Sequence, residues 1–270
     1  MKKALFFIIL LAATGLQAQD KIVILHTNDT HSCIEPEKNG NAGVLNRALF
    51  IEEIREKEGA ENVLLFDCGD YSQGSLYYNL FKGEAEIELM NAMGYNAVGV
   101  GNHEFDFGVE NLARIAKKAN FPILCSNYDF TGTACEGVII PSATIEVKGV
   151  KIGLFALSPN PAGLIAKDYY AGIKYLSPIE TANKYAHLLR QMGCDIVICL
   201  SHLGYEMPND DCDDKRLAAA TSGIDIILGG HSHTYFETPA KTTNKEGKEV
   251  LLQQMNKNGR YLGVMEIALE

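Results

Sequence analysis

Five short segments of this chain carry side chains able to bind metal or move a proton. They are Asp29-Thr30-His31, Gly69-Asp70, Gly101-Asn102-His103-Glu104, Ser201-His202 and Gly230-His231-Ser232-His233. Asp29 and His31, like His231 and His233, are two residues apart, so both members of each pair can turn the same way from an extended backbone. Asn102 offers a neutral oxygen, and His103 an imidazole that can face a reacting phosphate. Asp106 follows three residues later, where it can accept the other ring N–H and fix the tautomer. Each segment alone has a bland reading as a turn or a helix cap. Their repetition argues otherwise, because five of the seven histidines (31, 103, 202, 231, 233) fall just past apolar runs beside Gly, Asp or Asn. Together with Asp29, Asp70 and Asn102 they form a mixed oxygen and nitrogen set suited to Zn, Mn, Fe or similar ions. That set is too large for one tetrahedral ion and suits two ions sharing a carboxylate. His26 and Cys33 flank the first segment and are read as a strand-end packing residue and a loop residue.

Such residues need strands to aim them. Residues 21–26, 62–66, 97–100, 122–125, 195–200 and 224–228 are apolar runs of strand length, and most end in polar, metal-competent residues. Helical apolar patterns lie between them over 43–58 (Val44, Leu45, Ala48, Ile51, Ile54), 80–93, 109–119 and 178–192. Alternating strands and helices give an α/β fold, and open α/β sheets place their ligand sites at the carboxyl ends of the strands. Residues 143–157, alternating around Gly149, read as a β-hairpin, so the sheet is not purely parallel there. Two further strands, over 249–254 and 261–269, close the sheet. The irregular stretch 159–177 reads either as a loop over the site or as a surface connection, with the second favoured. No internal repeat, linker or break in composition appears, so 20–270 reads as one domain.

Ahead of it, Lys2-Lys3, the apolar run 5–11 and the small and polar residues 12–19 have the layout of a cleaved secretory signal, with cleavage after Ala18 or Gln19. The apolar core is too short to span a bilayer comfortably. The expected protein is exported, to the periplasm or outside the cell, with no stable membrane insertion after cleavage. Its formal charge of -10, or -12 without Lys2 and Lys3, repels a phosphate backbone and argues against nucleic acid as a partner. An acidic protein that acts on phosphate must supply local positive charge, and bound metal ions are one source. Seven cysteines leave at least one thiol unpaired. Cys68, Cys125, Cys194 and Cys199 read as buried small hydrophobes, and Cys125–Cys135 is a conceivable bridge.

The five segments, in this order, resemble the signature of the calcineurin-like metallophosphoesterases. The flanking wording, Thr27-Asn28-Asp29-Thr30-His31-Ser32, Asp70-Tyr71-Ser72-Gln73-Gly74 and Asn102 through Gly108, is similar to the 5′-nucleotidase branch. The resemblance runs from about Ile22 to the C-terminus. It implies a four-layer αββα sandwich of two mixed sheets with helices outside, a metallophosphatase fold. It also implies a first ion on Asp29, His31, Asp70 and His233, and a second on Asp70, Asn102, His202 and His231. His103 would then stand at the phosphate, supported by Asp106. The implied activity is hydrolysis of phosphate esters, most simply 5′-nucleotides, by metal-activated water with two divalent ions (Zn, Mn, Fe, Co or Mg). The same metals serve a 2′,3′-cyclic phosphodiesterase or a nucleotide-sugar hydrolase, and a non-catalytic metal- or phosphate-binding subunit is the reading outside enzymes. The branch often has Gln where this chain has His233, and it carries a C-terminal domain that grips the nucleoside. Without that domain the substrate choice stays open, and a separate substrate-binding polypeptide is an expected partner.

Overall fold

The structure is a computed structural model that describes residues 20–208 and 212–269; the signal assigned to residues 1–19 lies outside them. The chain opens with β1 (Lys21–Thr27), α1 (Val44–Glu58), β2 (Val63–Asp67), α2 (Leu76–Phe81), α3 (Glu84–Met93), β3 (Ala97–Gly99), α4 (Gly108–Ala116) and β4 (Ile123–Leu124). It continues through β5 (Tyr128–Asp129), β6 (Ser142–Val147), β7 (Val150–Leu157), β8 (Lys174–Tyr175), α5 (Pro178–Gln191), β9 (Ile196–Ser201) and α6 (Asp214–Ala220). The last strands are β10 (Ile226–Gly229), β11 (Ala240–Thr243), β12 (Glu249–Gln253) and β13 (Gly263–Ala268). One sheet has the order β13-β1-β2-β3-β4, the other β11-β12-β10-β9-β7-β6, and β5 pairs with β8. Both large sheets are mixed. β1, β2, β3 and β4 run parallel with β13 antiparallel to β1, while β7, β9, β10 and β12 run parallel with β6 and β11 antiparallel at the edges.

Alternation along each strand sets the layers. In β1, Ile22 and Ile24 join Leu64, Phe66, Ile198, Leu200, Ile226 and Leu228 in a core between the two sheets. The intervening Val23 and Leu25 face Ile51, Ile87, Met90, Leu112 and Ile115 of α1, α3 and α4. On the far side, Phe155, Val197, Cys199 and Ile227 pack against Ala182, Ala186, Leu189 and Leu217 of α5 and α6. The result is the four-layer αββα sandwich. Strands buried on both faces explain why their sequences read as unbroken apolar runs rather than alternating ones.

Several local expectations are corrected. The helix read over 80–93 is two helices, because Lys82 (φ 54°) and Gly83 (φ 91°) both adopt left-handed backbone that ends α2 and starts α3. Leu45, counted in the core face of α1, is 75% exposed. The conceivable Cys125–Cys135 bridge is not formed: Cys125 lies 3.3 Å from Ser158 Oγ, and Cys135 Sγ donates to Val109 O. The strands β5, β8 and β11 and the helix α6 are too short to have left a readable period. The favoured reading of 159–177 as a plain surface connection also fails, since Gly163 and Leu164 line the cavity described below.

The core also buries charge-capable groups. Asp67 ends β2 with no exposure, accepting from Gly69 N (2.8 Å) and from Thr27 Oγ1 (2.5 Å), which also meets Tyr95 Oη (2.8 Å). Burial raises its carboxyl to about 8, against the opposing hydrogen bonds. The folded chain therefore keeps a proton that the unfolded chain has released above about pH 4, and this contribution to stability is lost as pH rises toward 8. An amide at this position can accept from Gly69 and donate to Thr27. Urea unfolding at pH 5 and pH 8 should show a smaller loss of stability in Asp67→Asn than in the wild type, by up to about 1.4 kcal/mol per pH unit.

Candidate metal centre

The ends of β1, β2 and β10 deliver their side chains through strained turns. Asp29 (φ 49°), His31 (φ 45°), Asp70 (φ 56°), His231 (φ 72°) and His233 (φ 54°) are non-glycine residues in left-handed backbone. Such residues cost of order 1–3 kcal/mol each and persist only where the surroundings over-determine them. Here they do. Asp29 N donates to Gly69 O and His31 N to Asp70 O, both at 2.9 Å, which zips the loop after β1 to the loop after β2. Glu104 then fastens that second loop to the loop after β3. Its Oε2 accepts from Asp70 N (2.9 Å) and Gly101 N (2.6 Å), and its Oε1 accepts from Ser72 N (3.1 Å). His231 N donates to Asp29 Oδ2 (3.0 Å), and Gln254 Nε2 donates to Gly230 O (2.7 Å), which joins the second sheet's loops to the first's. The approach is close enough to demand glycine: a Cβ on Gly101 would lie 2.2 Å from Asp70 Oδ1, and one on Gly230 would lie 2.7 Å from His202 Nδ1.

Two clusters of ligand atoms result. Asp29, His31 and His233 form one, and Asp70, His202 and His231 the other, each with its donor atoms within 4.8 Å of one another. Asn102 lines the same cavity of about 820 Å³ as Asp70, His103, His231 and His233. Asp29 and His202, fully buried, lie beneath it. His103 stands beside His31 with ring centroids 5.5 Å apart, and its Nδ1 is 3.1 Å from Asp106 Oδ2. His26 is outside the clusters, buried against Gln253 Oε1 (3.1 Å). His187 is exposed on α5.

The donor chemistry fits metal. His202 Nδ1 is 2.7 Å from the Cys68 carbonyl, which makes that nitrogen the donor and turns Nε2 toward Asp70 Oδ2 at 3.0 Å. That contact lacks hydrogen-bond geometry, and His202 Nε2 and Asn102 Oδ1 are both buried without a hydrogen-bond partner. In the first cluster His31 Nε2 lies 3.1 Å from His233 Nε2, with Asp29 Oδ1 3.3 Å from the latter. Nitrogen and carboxylate oxygen atoms gathered this closely suit a cation between them.

The electrostatics agree. Burial, followed by the neighbouring His202, lowers His231 to about 4, and burial also lowers His31, so both imidazoles are neutral near pH 7 as ligands must be. Burial opposes charge on His202 and on Asp70 alike. Mutual attraction overcomes it, raising His202 to about 10 and holding Asp70 below the usual carboxylate range. A proton or a metal ion can meet that demand. His103 is raised to about 9, first by its hydrogen bond to Asp106, and two bound cations would draw it down again.

Three residues that hold the site were not singled out from the sequence. Glu104 lies inside the third segment and was visible there. Asn28 ties the first loop to the chain after β12 through Met255 N (2.8 Å) and Asn256 O (2.7 Å), and only its place beside Asp29 hinted at it. Gln254 left no signal at all.

Four layers, with strand ends from both sheets converging on a paired Asp, Asn and His centre, define a phosphoesterase of the metal-dependent type. The chain belongs to the calcineurin-like phosphoesterase family, whose model matches residues 22–235. Among relatives, it is 30% identical to human 5′-nucleotidase over 277 residues, covering 93% of this chain and 47% of that protein. Among solved structures, a 5′-nucleotidase precursor from Thermus thermophilus superposes with a TM-score of 0.80 at 31% identity, over 93% of this chain and 53% of that one. The calcineurin-like phosphoesterase YfkN from Bacillus subtilis does so with a TM-score of 0.77 at 26% identity, over 92% of this chain and 85% of that one. The chain spans about half the length of the curated relatives it matches.

Removing Asp70, the carboxylate of the second cluster, tests the centre directly. Elemental analysis after loading with Mn or Zn should find two ions per wild-type chain and at most one in Asp70→Ala. Loading should raise the wild-type melting temperature, since an ion bound only by the folded state stabilises it, and should raise that of the variant less.

Proposed function

We propose that the chain, over residues 20–270, is the catalytic domain of an exported metallophosphatase that hydrolyses 5′-nucleotides. The observation that carries this reading is the pair of candidate ligand clusters beside one cavity that His103, held by Asp106, also lines. In the proposal Asp29, His31, Asp70 and His233 hold one divalent ion, and Asp70, Asn102, His202 and His231 hold the other, drawn from Zn, Mn, Fe, Co or Mg. When bound, such a pair supplies Lewis acidity for the phosphoryl oxygens and lowers the pKa of a water at the site.

The chain's own residues do the rest. With Asp106 accepting from Nδ1, the second proton of His103 resides on Nε2, aimed away from Asp106. From there it stabilises the charge that builds on the departing oxygen and passes to that oxygen as the ester bond breaks. Asp106 fixes the ring and keeps the imidazolium accessible. His103 N donates to Asp70 Oδ1 (2.9 Å), so the acid and the shared carboxylate keep one spacing. Support for the nucleotide comes from the named 5′-nucleotidases among the relatives. Leu76 and Leu164, 77% and 49% exposed on the cavity rim, suit cover by a further domain or a separate substrate-binding polypeptide. Among the described residues no helix is long and apolar enough to cross a membrane.

Phosphate release from AMP, 2′,3′-cyclic AMP, UDP-glucose and p-nitrophenyl phosphate by the metal-loaded chain tests the reading. AMP should be the best substrate. His103→Ala should lower kcat by roughly 100- to 10,000-fold and Asp106→Asn by roughly 10- to 100-fold, both with unchanged metal content. Absence of turnover on every ester with every metal would sink the enzyme reading for this chain.

A further inference from the structure

The turn after β12 lines the cavity beside the candidate clusters through Lys257 and Asn258, and it is fixed to the loop of the first cluster. Asn256 (φ 60°) and Asn258 (φ 62°) are both in left-handed backbone on either side of Lys257. Asn258 N donates to Asp29 O (2.7 Å), Asn256 N donates to Thr234 O (2.8 Å), and Asn28 grips the turn through Met255 N and Asn256 O. Asparagine tolerates this conformation better than most residues, and a strained turn held by that many bonds points to a task for what it carries.

What it carries is Lys257. It is the only Lys or Arg among the residues lining the cavity. It is half-buried, and among the described residues no carboxylate pairs with it. The acid on the same rim, Glu35, accepts from Tyr77 Oη (2.7 Å). In a chain of formal charge -10, a lysine beside two ligand clusters and without a counter-ion is placed to receive an anion.

We propose that Lys257 binds a phosphate oxygen of the substrate and selects phosphomonoester dianions over diester monoanions, an inference that rests on the phosphatase reading above. A monoester dianion brings one more negative charge to the cavity than a diester monoanion, so it gains more from a further cation at the rim. An ammonium on a flexible stem supplies it as a point charge, with no fixed geometry demanded of the ester.

The test uses the metal-loaded full chain and its Lys257→Gln and Lys257→Arg variants. Calorimetric titration with inorganic phosphate reads binding without turnover. Kinetics on p-nitrophenyl phosphate and bis(p-nitrophenyl) phosphate compare a dianion with a monoanion on one leaving group. Lys257→Gln should weaken phosphate binding and raise the monoester KM by about 10-fold or more, as for loss of a charge-assisted hydrogen bond. Its kcat should stay within about 3-fold and its diester KM within about 2-fold, and Lys257→Arg should restore most of the loss. Unchanged phosphate binding in Lys257→Gln, or equal losses on both esters, would overturn the proposal. If the wild type hydrolyses no ester but binds phosphate at least about 10-fold more tightly than Lys257→Gln, the anion site stands and the phosphatase reading falls.

Discussion

One buried carboxylate holds the centre's geometry. Glu104 accepts from three backbone N–H groups, of Asp70, Ser72 and Gly101, and so binds the loops after β2 and β3 into a single unit. The position of Asp70 follows from this, and with it that of the second candidate cluster. Burial and the nearby Asp70 charge raise Glu104 to about 7, so it is held against a penalty that only those three donors offset. A glutamine could not reproduce the arrangement, since its amide offers one acceptor oxygen where three donors converge.

The sandwich supplies the rigidity that this requires. Five residues of the two candidate clusters are in left-handed backbone, and strain on that scale is tolerable only when the elements beneath it cannot relax. Close packing beneath them leaves little slack. Gly99 of β3 shows how near the two sheets approach there, as a Cβ would already touch Leu200 and Ala156 Cβ at 3.5 and 3.6 Å. Strand ends from the two sheets therefore meet over a common floor, and Asp29 and His202 can be fully buried while still serving the same cavity as His103.

Charge distribution is the second constraint. The chain is acidic overall, and its centre concentrates two carboxylates and four imidazoles in a small volume. Attraction between His202 and Asp70 is what survives of that demand without a cation. With cations in place the same groups turn from a proton trap into ligands, and the site changes from electron-rich to phosphate-attracting. His103 and Asp106 are joined at 3.1 Å and stand outside both clusters.

Much of this was legible in the sequence, for local reasons. Apolar runs ending in Asp, Asn or His marked the strands and their ligand-bearing ends, because side-chain period and Gly-flanked turns are written in adjacent residues. Asp29, His31, Asp70, His202, His231 and His233, which the structure gathers into two candidate clusters, were singled out on that basis, as were Asn102, His103 and Asp106. The break at Lys82-Gly83, the short strands β5, β8 and β11 and the helix α6 were not, since too few residues carry their pattern. The division of ligands into two clusters had to be borrowed from a family likeness. His31 meets His233 across 202 positions only because two sheets stack face to face. Gln254 and Lys257 lie still further from any local signal. Their partners are the loop after β10, the first ligand loop and the open cavity, which adjoin them through β12's place beside β10. Residue types and spacing determined what chemistry this chain can do. Only the tertiary structure decided which groups share one ion's reach, because that proximity is a property of packed layers and not of neighbours in the chain.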